Sequence, residues 1–360
     1  MIFIFGGGGT GGHVVPALAL ADDLRSRGHS CSFIGNADSV EARLCASNNY
    51  PISHIKVQKL YRSFSIENLL FPWYLCHSII KCRQILKEAK PHAVICTGGF
   101  VAGPVAIAAS LLHIPLFFHE SNSYPGLVTR YMAKRITRIF ISFEATNSYL
   151  PRKDLILHGI PIKTKDQSPY SLDALGLKDT IPTILVSGGS QGSLAINKVI
   201  DAALPDILKA GYQLIWQTGK TSYQSFAAKH QATRGVHLFA FSPDLPRMLA
   251  KATLAVTRAG AMTIAELEEY KVPSILIPLP TAAENHQFLN AREQQDKGIA
   301  ILLPQNALNP NSLMNAIKLI TADQQKYRDK LALIPPNNAT KNIVDSILAY
   351  LNASGKTNKE

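Results

Sequence analysis

Two α/β domains, each a doubly wound parallel sheet, are the fold class that the sequence predicts. Three observations carry it. Short apolar runs that read as buried strands alternate with segments of helical period along the whole chain. The order strand, glycine loop, helix occurs at the N-terminus, where Met1–Phe5 runs into Gly6–Gly12. It restarts where Ile181–Val186 runs into Gly188–Gly192. A length of 360 residues exceeds one ordinary core, so two domains of roughly 150–200 residues are expected.

The N-terminal glycine run contains Gly7-x-Gly9-x-x-Gly12, which fits a dinucleotide template. That reading also needs an acidic residue closing the second strand. Ser32–Ile34 ends in Gly35-Asn36, and Asp38 falls in the loop beyond, so NAD is disfavoured. A helix from about Val14 to Arg27 follows, with Pro16 tolerated in its first turn. His13 stands at the mouth of this helix. The positive dipole end disfavours imidazolium and keeps the ring able to take a proton; a capping or packing histidine is the other reading.

Between Val57 and Lys90 the alternation breaks. Leu60, Tyr61, Phe64, Ile66, Leu69, Leu70, Phe71, Trp73, Tyr74 and Leu75 crowd together, flanked by Lys56, Lys59, Arg62, Lys81, Arg83, Lys87 and Lys90. Such a mixture describes a surface that dips into an anionic bilayer interface, or else core packing beside a solvated basic helix. Ala93–Cys96 is the next strand, and Thr97–Pro104 leads into an apolar helix. Ile114–Phe118 is a strand that ends in His119, Glu120, Ser121 and Asn122, where parallel sheets bind ligands. Arg135–Ser142 supplies another strand.

The pattern restarts near His158–Pro161. After the glycine loop at Gly188, strands are expected near Gln213–Trp216, Val236–Phe239, Leu254–Thr257, Ser274–Pro278 and Ala300–Leu303, with helices between them. Gly260 turns the chain into a helix carrying Met262, Ala265, Leu267 and Tyr270. Its free N–H groups and dipole form a place for a diphosphate. Glu266 lies one turn in, either accepting hydrogen bonds from a ribose diol or solvated and paired with Lys271. A last amphipathic helix runs from about Ala339 to Leu351.

A net charge of +12 predicts attraction to polyanions, although no nucleic-acid recognition motif accompanies it. Five cysteines without CxxC spacing read as free thiols in a reducing compartment. No Asp-x-Asp or carboxylate cluster is present, so no protein-bound metal and no cofactor are expected. The start is too short for a signal peptide, and no apolar run approaches the ~18 residues that span a bilayer.

Six motifs occur in order: GGTGGH (Gly8–His13), TGGFVAGP (Thr97–Pro104), HESN (His119–Asn122), GGSQG (Gly188–Gly192), RAGAMTIAE (Arg258–Glu266) and ENHQFLNA (Glu284–Ala291). Together, over essentially the whole chain, they resemble the MurG family, peripheral membrane glycosyltransferases of family 28. The resemblance implies a GT-B fold, two Rossmann-like doubly wound domains facing a cleft. Residues 1–158 would be the acceptor and membrane-binding domain and residues 159–337 the donor domain, with a C-terminal helix of about 338–354 packed back on the first. It implies inverting transfer of N-acetylglucosamine from UDP-GlcNAc to the C4 hydroxyl of MurNAc in lipid I. The product would be β-1,4-linked lipid II for peptidoglycan. A related glycolipid-forming enzyme that uses a UDP-sugar is the alternative.

Residue by residue, the resemblance implies His13 or Glu120 as the base. It implies donor contacts from Thr10, Gly11, Gly12, Asn122, Lys163, Ser190, Ala261, Met262, Thr263, Ile264, Ala265, Glu266 and Gln287. Gly99, Phe100, Gly103 and His119 would meet the acceptor, and Ile66, Leu69, Leu70, Phe71, Trp73 and Tyr74 the membrane. The expected site is the cytoplasmic face of the inner membrane, with cell-wall synthesis or division proteins as further partners. At Gly159–Lys163 the chain reads Gly-Ile-Pro-Ile-Lys where the family has Gly-Asn-Pro-Val-Arg. Lysine keeps the charge and loses the bidentate fork.

Overall fold

A computed structural model describes residues 1–58, 70–152, 154–162 and 170–355. The chain divides into two units, one of Met1–Lys163 with Asn337–Glu360 and the other of Thr164–Pro336.

In the first unit the order is β1 (Ile2–Gly7), α1 (Gly11–Ser26), β2 (Ser30–Asn36), α2 (Val40–Ser47), β3 (Ile52–Ile55), α3 (Phe71–Ala89), β4 (Ala93–Gly98), α4 (Ala102–Leu111), β5 (Leu116–Glu120), α5 (Leu127–Met132), β6 (Arg138–Ile141) and β7 (Ile156–Leu157). Among the described residues these strands form one parallel sheet in the order β3-β2-β1-β4-β5-β6-β7. The order reverses between β1 and β4, and a crevice opens at the carboxyl ends of strands at such a switch point. Strand alternation divides the core: Phe3 and Phe5 face one side, Ile4 the other.

The second unit runs β8 (Thr183–Ser187), α6 (Leu194–Lys209), β9 (Gln213–Gln217), α7 (Tyr223–His230), β10 (Val236–Phe239), α8 (Leu245–Leu249), β11 (Leu254–Thr257), α9 (Ala261–Tyr270), β12 (Ser274–Leu276), α10 (His286–Asp296), β13 (Ala300–Leu302), α11 (Pro310–Ala322) and α12 (Gln324–Ala332). Its parallel sheet has the order β10-β9-β8-β11-β12-β13, with the reversal between β8 and β11. The two strands that precede glycine turns, β8 and β11, therefore lie side by side.

The last helix, α13 (Ala339–Ala353), belongs to the first unit. Ile343, Val344, Ile347 and Leu351 fall on one helical face and are fully buried with Phe3, Phe5 and Leu20. Each such side chain contributes roughly 1.5–3 kcal/mol on burial. Arg27 pairs with Asp345 at 2.5 Å, and Asn337 donates to the Ile160 carbonyl at 3.1 Å.

Two elements start about three residues from the sequence expectation. Helix α1 begins at Gly11 rather than near Val14, because two residues of poor helix propensity nonetheless adopt its first turn. Strand β6 begins at Arg138 rather than Arg135, since Ala133–Arg135 form a 3₁₀ turn that closes α5.

Candidate active site

In the first unit the site is built at the β1/β4 switch. Gly98 and Gly99 both take positive φ, at 101° and 78°. A Cβ on Gly98 would lie 2.8 Å from His13 Nδ1, and one on Gly99 would lie 2.0 Å from the Gly8 carbonyl oxygen. Only glycine lets the two loops approach this closely. His13 Nδ1 lies 3.0 Å from the Thr97 carbonyl oxygen, and Thr97 Oγ1 donates to the His13 carbonyl at 2.7 Å. A carbonyl only accepts, so Nδ1 carries the proton and Nε2 keeps its lone pair. Burial lowers the His13 pKa, opposed by the Thr97 hydrogen bond. Desolvation, the leading cause, acts in the same direction as the expected helix dipole. Thr10 is the N-cap of α1 but makes no side-chain cap, and no acidic residue occupies the first turn.

At the end of β5, His119 and Glu120 are buried. His119 Nε2 meets the Gly159 carbonyl and Ser142 Oγ, both at 3.0 Å, and Ser121 Oγ lies 3.3 Å from Nδ1. Burial pushes its pKa down to about 4. The ring thus ties β5 to the segment after β7. Glu120 accepts from Asn122 N at 3.2 Å, Gly126 N at 2.9 Å and Thr129 Oγ1 at 2.6 Å. Burial raises its pKa and these bonds oppose the rise. Both oxygens are engaged in shaping the loop that carries Asn122, which is half-buried. Phe100 packs against Gly9, where a Cβ would lie 2.5 Å from its ring. A Cβ on Gly103 would lie an ordinary 3.6 Å from Val128.

In the second unit α6 and α9 start side by side, and they differ. Ser193 caps α6 through Ile196 N, whereas the α9 N-cap is Gly260, without a side-chain cap and without an acidic first turn. The first N–H groups of α9, at Ala261, Met262 and Thr263, therefore lack intrahelical partners. Ile264 and Ala265 are buried and hold the helix on the sheet. Glu266 is half-buried, and burial pushes its pKa up to about 7. The proposed partner Lys271 instead donates to the Ile334 carbonyl at 2.6 Å. Ser190 is exposed on the glycine loop. Gln287 accepts from Leu279 N at 3.0 Å and holds the loop after β12.

Arg258 is a functional candidate that the sequence analysis leaves without a role. Its guanidinium is buried and donates to the Ile277 and Pro278 carbonyls at 3.1 and 3.0 Å, to Ser193 Oγ at 2.7 Å and to Gln305 Oε1 at 2.6 Å. Burial lowers its pKa. All four acceptors are neutral, so a positive charge sits beside the start of α9 without a carboxylate partner among the described residues.

At the start of α3, Trp73 is 71% exposed and the preceding Leu70 53%. Phe71 and Tyr74 are half-buried, with Lys56 Nζ 5.1 Å from the Tyr74 ring centroid. Lys81, Arg83, Lys87 and Lys90 are exposed along the same helix and its cap. The reading of this stretch as core is excluded for Leu70 and Trp73. Ile66, Leu69 and Lys163 lie outside the described residues. No helix among the described residues is long and apolar enough to cross a membrane.

Two Rossmann-like units with these strand orders make the architecture of the GT-B glycosyltransferases. Residues 3–141 match the glycosyltransferase family 28 N-terminal domain, and residues 183–346 match its C-terminal domain. The UDP-N-acetylglucosamine--N-acetylmuramyl-(pentapeptide) pyrophosphoryl-undecaprenol N-acetylglucosamine transferase of Listeria monocytogenes is 36% identical over 357 residues, 96% of this chain and 98% of that one. The protein of the same name from Pediococcus pentosaceus is 33% identical over 341 residues, 92% and 93% of the two chains. The crystal structure of Acinetobacter baumannii MurG superposes with a TM-score of 0.76 at 27% identity, covering 97% of this chain and 99% of that one. The chain belongs to glycosyltransferase family 28 and is a hexosyltransferase.

Proposed function

We propose that this chain moves N-acetylglucosamine from UDP-GlcNAc to the C4 hydroxyl of the muramyl sugar in lipid I, giving lipid II. The observation that carries the reading is the near full-length identity to transferases named for that donor and that acceptor. The geometry supplies the chemistry.

His13 is the base. Its Nδ1–H is held by the Thr97 carbonyl, so Nε2 accepts the proton of the acceptor hydroxyl as that oxygen attacks the anomeric carbon. The new C1–O4 bond forms on the face opposite the C1–O bond to the diphosphate, which breaks. An α-linked donor thus gives a β-linked product. UDP departs with the electron pair, and the N–H groups at the start of α9, with the charge of Arg258 beside them, stabilise it. Glu266 accepts hydrogen bonds from the ribose diol. Ser190 and the first turn of α9 serve the phosphates, Gln287 shapes the loop after β12, and Lys163 contributes a single positive charge. Thr10, Gly11 and Gly12 offer the uncapped N–H groups of α1. Glu120 positions Asn122 for the N-acetylglucosamine, because its own oxygens are already taken. Gly99, Phe100 and Gly103 face the acceptor, and His119 braces the strand end behind them. The enzyme sits on the cytoplasmic face of the membrane through Leu70, Phe71, Trp73 and Tyr74 with their basic flank, within reach of other cell-wall synthesis and division proteins.

The test is incubation with UDP-GlcNAc and a lipid I analogue, followed by product mass and UDP release. A product heavier by one N-acetylhexosamine per UDP supports the reading. Transfer to diacylglycerol and not to the lipid I analogue would replace it with the glycolipid alternative.

A further inference from the structure

Glu41 is the second residue of α2, at a position where a helix ordinarily presents its acidic residue to solvent. Here the side chain is 1% exposed. Its Oε2 accepts from Gly9 N at 3.0 Å and its Oε1 from Asn36 N at 3.2 Å. No lysine, arginine or histidine pairs with it among the described residues. Burying a carboxylate without a counter-ion is costly unless hydrogen bonds satisfy both oxygens. Two such bonds are present, and the chain is shaped to admit them. A Cβ on Gly8 would lie 2.6 Å from Glu41 Cδ, and one on Gly35 2.6 Å from its Cγ. The two glycines open the space that the acid fills. Its base is anchored as well. Ser39 caps α2 through Ala42 N and donates to the Asn36 carbonyl at 2.7 Å, while the Asn36 side chain exchanges two hydrogen bonds of 2.8 Å with the Val57 backbone.

The Gly8–Gly9 turn is therefore gripped from two sides. Glu41 holds the Gly9 amide, and on the other side the Gly8 carbonyl lies against Gly99 and the Gly9 Cα against Phe100. Gly9 takes φ +84°, and the next residues are Thr10, Gly11, Gly12 and His13. We propose that Glu41 is a positioning residue for the transfer: its carboxylate fixes the Gly8–Gly9 turn and so sets where the α1 N–H groups and His13 Nε2 stand. This deepens the proposed function and rests on it. A displacement of about 1 Å in a reacting group costs on the order of a hundredfold in rate, and among the described residues the partners of Glu41 all belong to the first unit. The loss should thus be larger in turnover than in nucleotide affinity, which the α1 N–H groups share with the second unit.

The experiment compares wild type with E41Q and E41D. Glutamine keeps the shape but presents an NH₂ to one of the two backbone donors. Aspartate keeps the charge but is too short to serve both. Measured are kcat, the KM for UDP-GlcNAc, UDP affinity by calorimetry, melting temperature, and hydrogen exchange at the Gly9 amide. The expected result for E41Q is faster Gly9 exchange, kcat lower by roughly ten- to hundredfold, and changes in UDP affinity and KM clearly smaller than the fall in kcat. E41D should fall between the two in kcat. A folded E41Q with wild-type kcat, or a loss of kcat that merely tracks the folded fraction or UDP affinity, overturns the proposal. Should E41Q not fold, E41D decides by the same criteria, and collapse of both assigns Glu41 to stability alone. Absence of any transfer by the wild type would sink the proposed function instead. Gly9 exchange would still report on the clamp, and unchanged exchange in a folded variant refutes it.

Discussion

Replacing Glu266 by glutamine separates two consequences of one burial. The side chain is half-buried on α9, and its carboxyl pKa rises from 4.5 to about 7 through desolvation. A carboxyl whose folded-state pKa lies above its unfolded value binds more protons folded than unfolded between those two values. Its contribution to stability is therefore intact below 4.5 and is lost as pH rises through 7. At 1.36 kcal/mol per pH unit, the loss amounts to about 3 kcal/mol. Glutamine does not titrate, so E266Q should gain roughly 3 kcal/mol on wild type between pH 4.5 and pH 8. That is roughly 6–12 °C in melting temperature for a unit of this size. Any constant effect of the amide cancels in the difference between the two pH values. The same change removes a charge-assisted hydrogen bond to the ribose, which costs on the order of 1.5–3 kcal/mol, or roughly ten- to hundredfold in affinity. Calorimetry with UDP at pH 8 reads that loss, and melting at the two pH values reads the gain. In the wild type, UDP affinity should climb with pH through about 7 as the better acceptor forms. An E266Q stability difference that is the same at both pH values would refute the raised pKa. Unchanged UDP binding would refute the ribose contact.

Three further outcomes follow from the geometry. His13→Gln should lower turnover by about 10²–10⁴-fold with UDP affinity near normal. Since burial places the His13 pKa below 6.5 and the neutral ring is the active form, wild-type activity should rise with pH through a limb below 6.5 that the variant lacks; pH–rate profiles of both proteins check this. Trp73→Glu, at a side chain 71% exposed, should change stability by less than about 0.5 kcal/mol but weaken sedimentation with anionic vesicles; equal vesicle binding would move the membrane contact elsewhere. Gly99→Ala forces a Cβ into the Gly8 carbonyl and against His13 at a φ of 78°, so it should cost on the order of 1–3 kcal/mol in chemical denaturation and displace the base.

The elements were legible wherever local chemistry dictates them. Apolar runs such as Ala93–Cys96 and Leu254–Thr257 became central strands, and the glycine turns after Phe5, Val186 and Thr257 marked the strand ends where ligands bind. The site was legible only where its residues are neighbours in sequence. His13 after its glycines and Glu266 one turn into α9 could be read directly. The partners that decide their chemistry could not, because folding brings them from afar. Thr97 is 84 residues from His13, Glu41 is 32 from Gly9, and Gln305 is 47 from Arg258. The electrostatic cause shifted for the same reason. The helix dipole at His13 follows from the glycine loop, but the burial that leads the pKa shift depends on β4 and its loop packing over the ring. Glu120 shows the limit most clearly. At a strand end it reads as a group placed for a polar substrate, and only the return of Gly126 and Thr129 onto its oxygens shows a carboxylate with both oxygens hydrogen-bonded.

Under the proposed function, Arg258 and Glu266 act together on a nucleotide in the second unit. Arg258 keeps a buried charge against four neutral acceptors at the entrance of α9, and Glu266 keeps a half-desolvated acid one turn in. Either group alone is a poor choice for stability, since burial disfavours the charged form of each and each lowers the folded state relative to an apolar substitute. Their places, one at the start of α9 and one a turn into it, suit a ligand with two polar parts. A nucleoside diphosphate carries its negative charge on the phosphates and its paired hydroxyl donors on the ribose, a few ångströms apart. In the proposed function the diphosphate answers Arg258 and the free N–H groups of α9, and the diol answers Glu266. Each group is thus compensated by the part of the ligand whose polarity it matches. A ligand with only one of the two parts compensates only one of them, so inorganic diphosphate and a free nucleoside should each bind far more weakly than UDP. The selectivity of the site for the intact nucleotide then follows from groups whose burial the fold on its own does not reward.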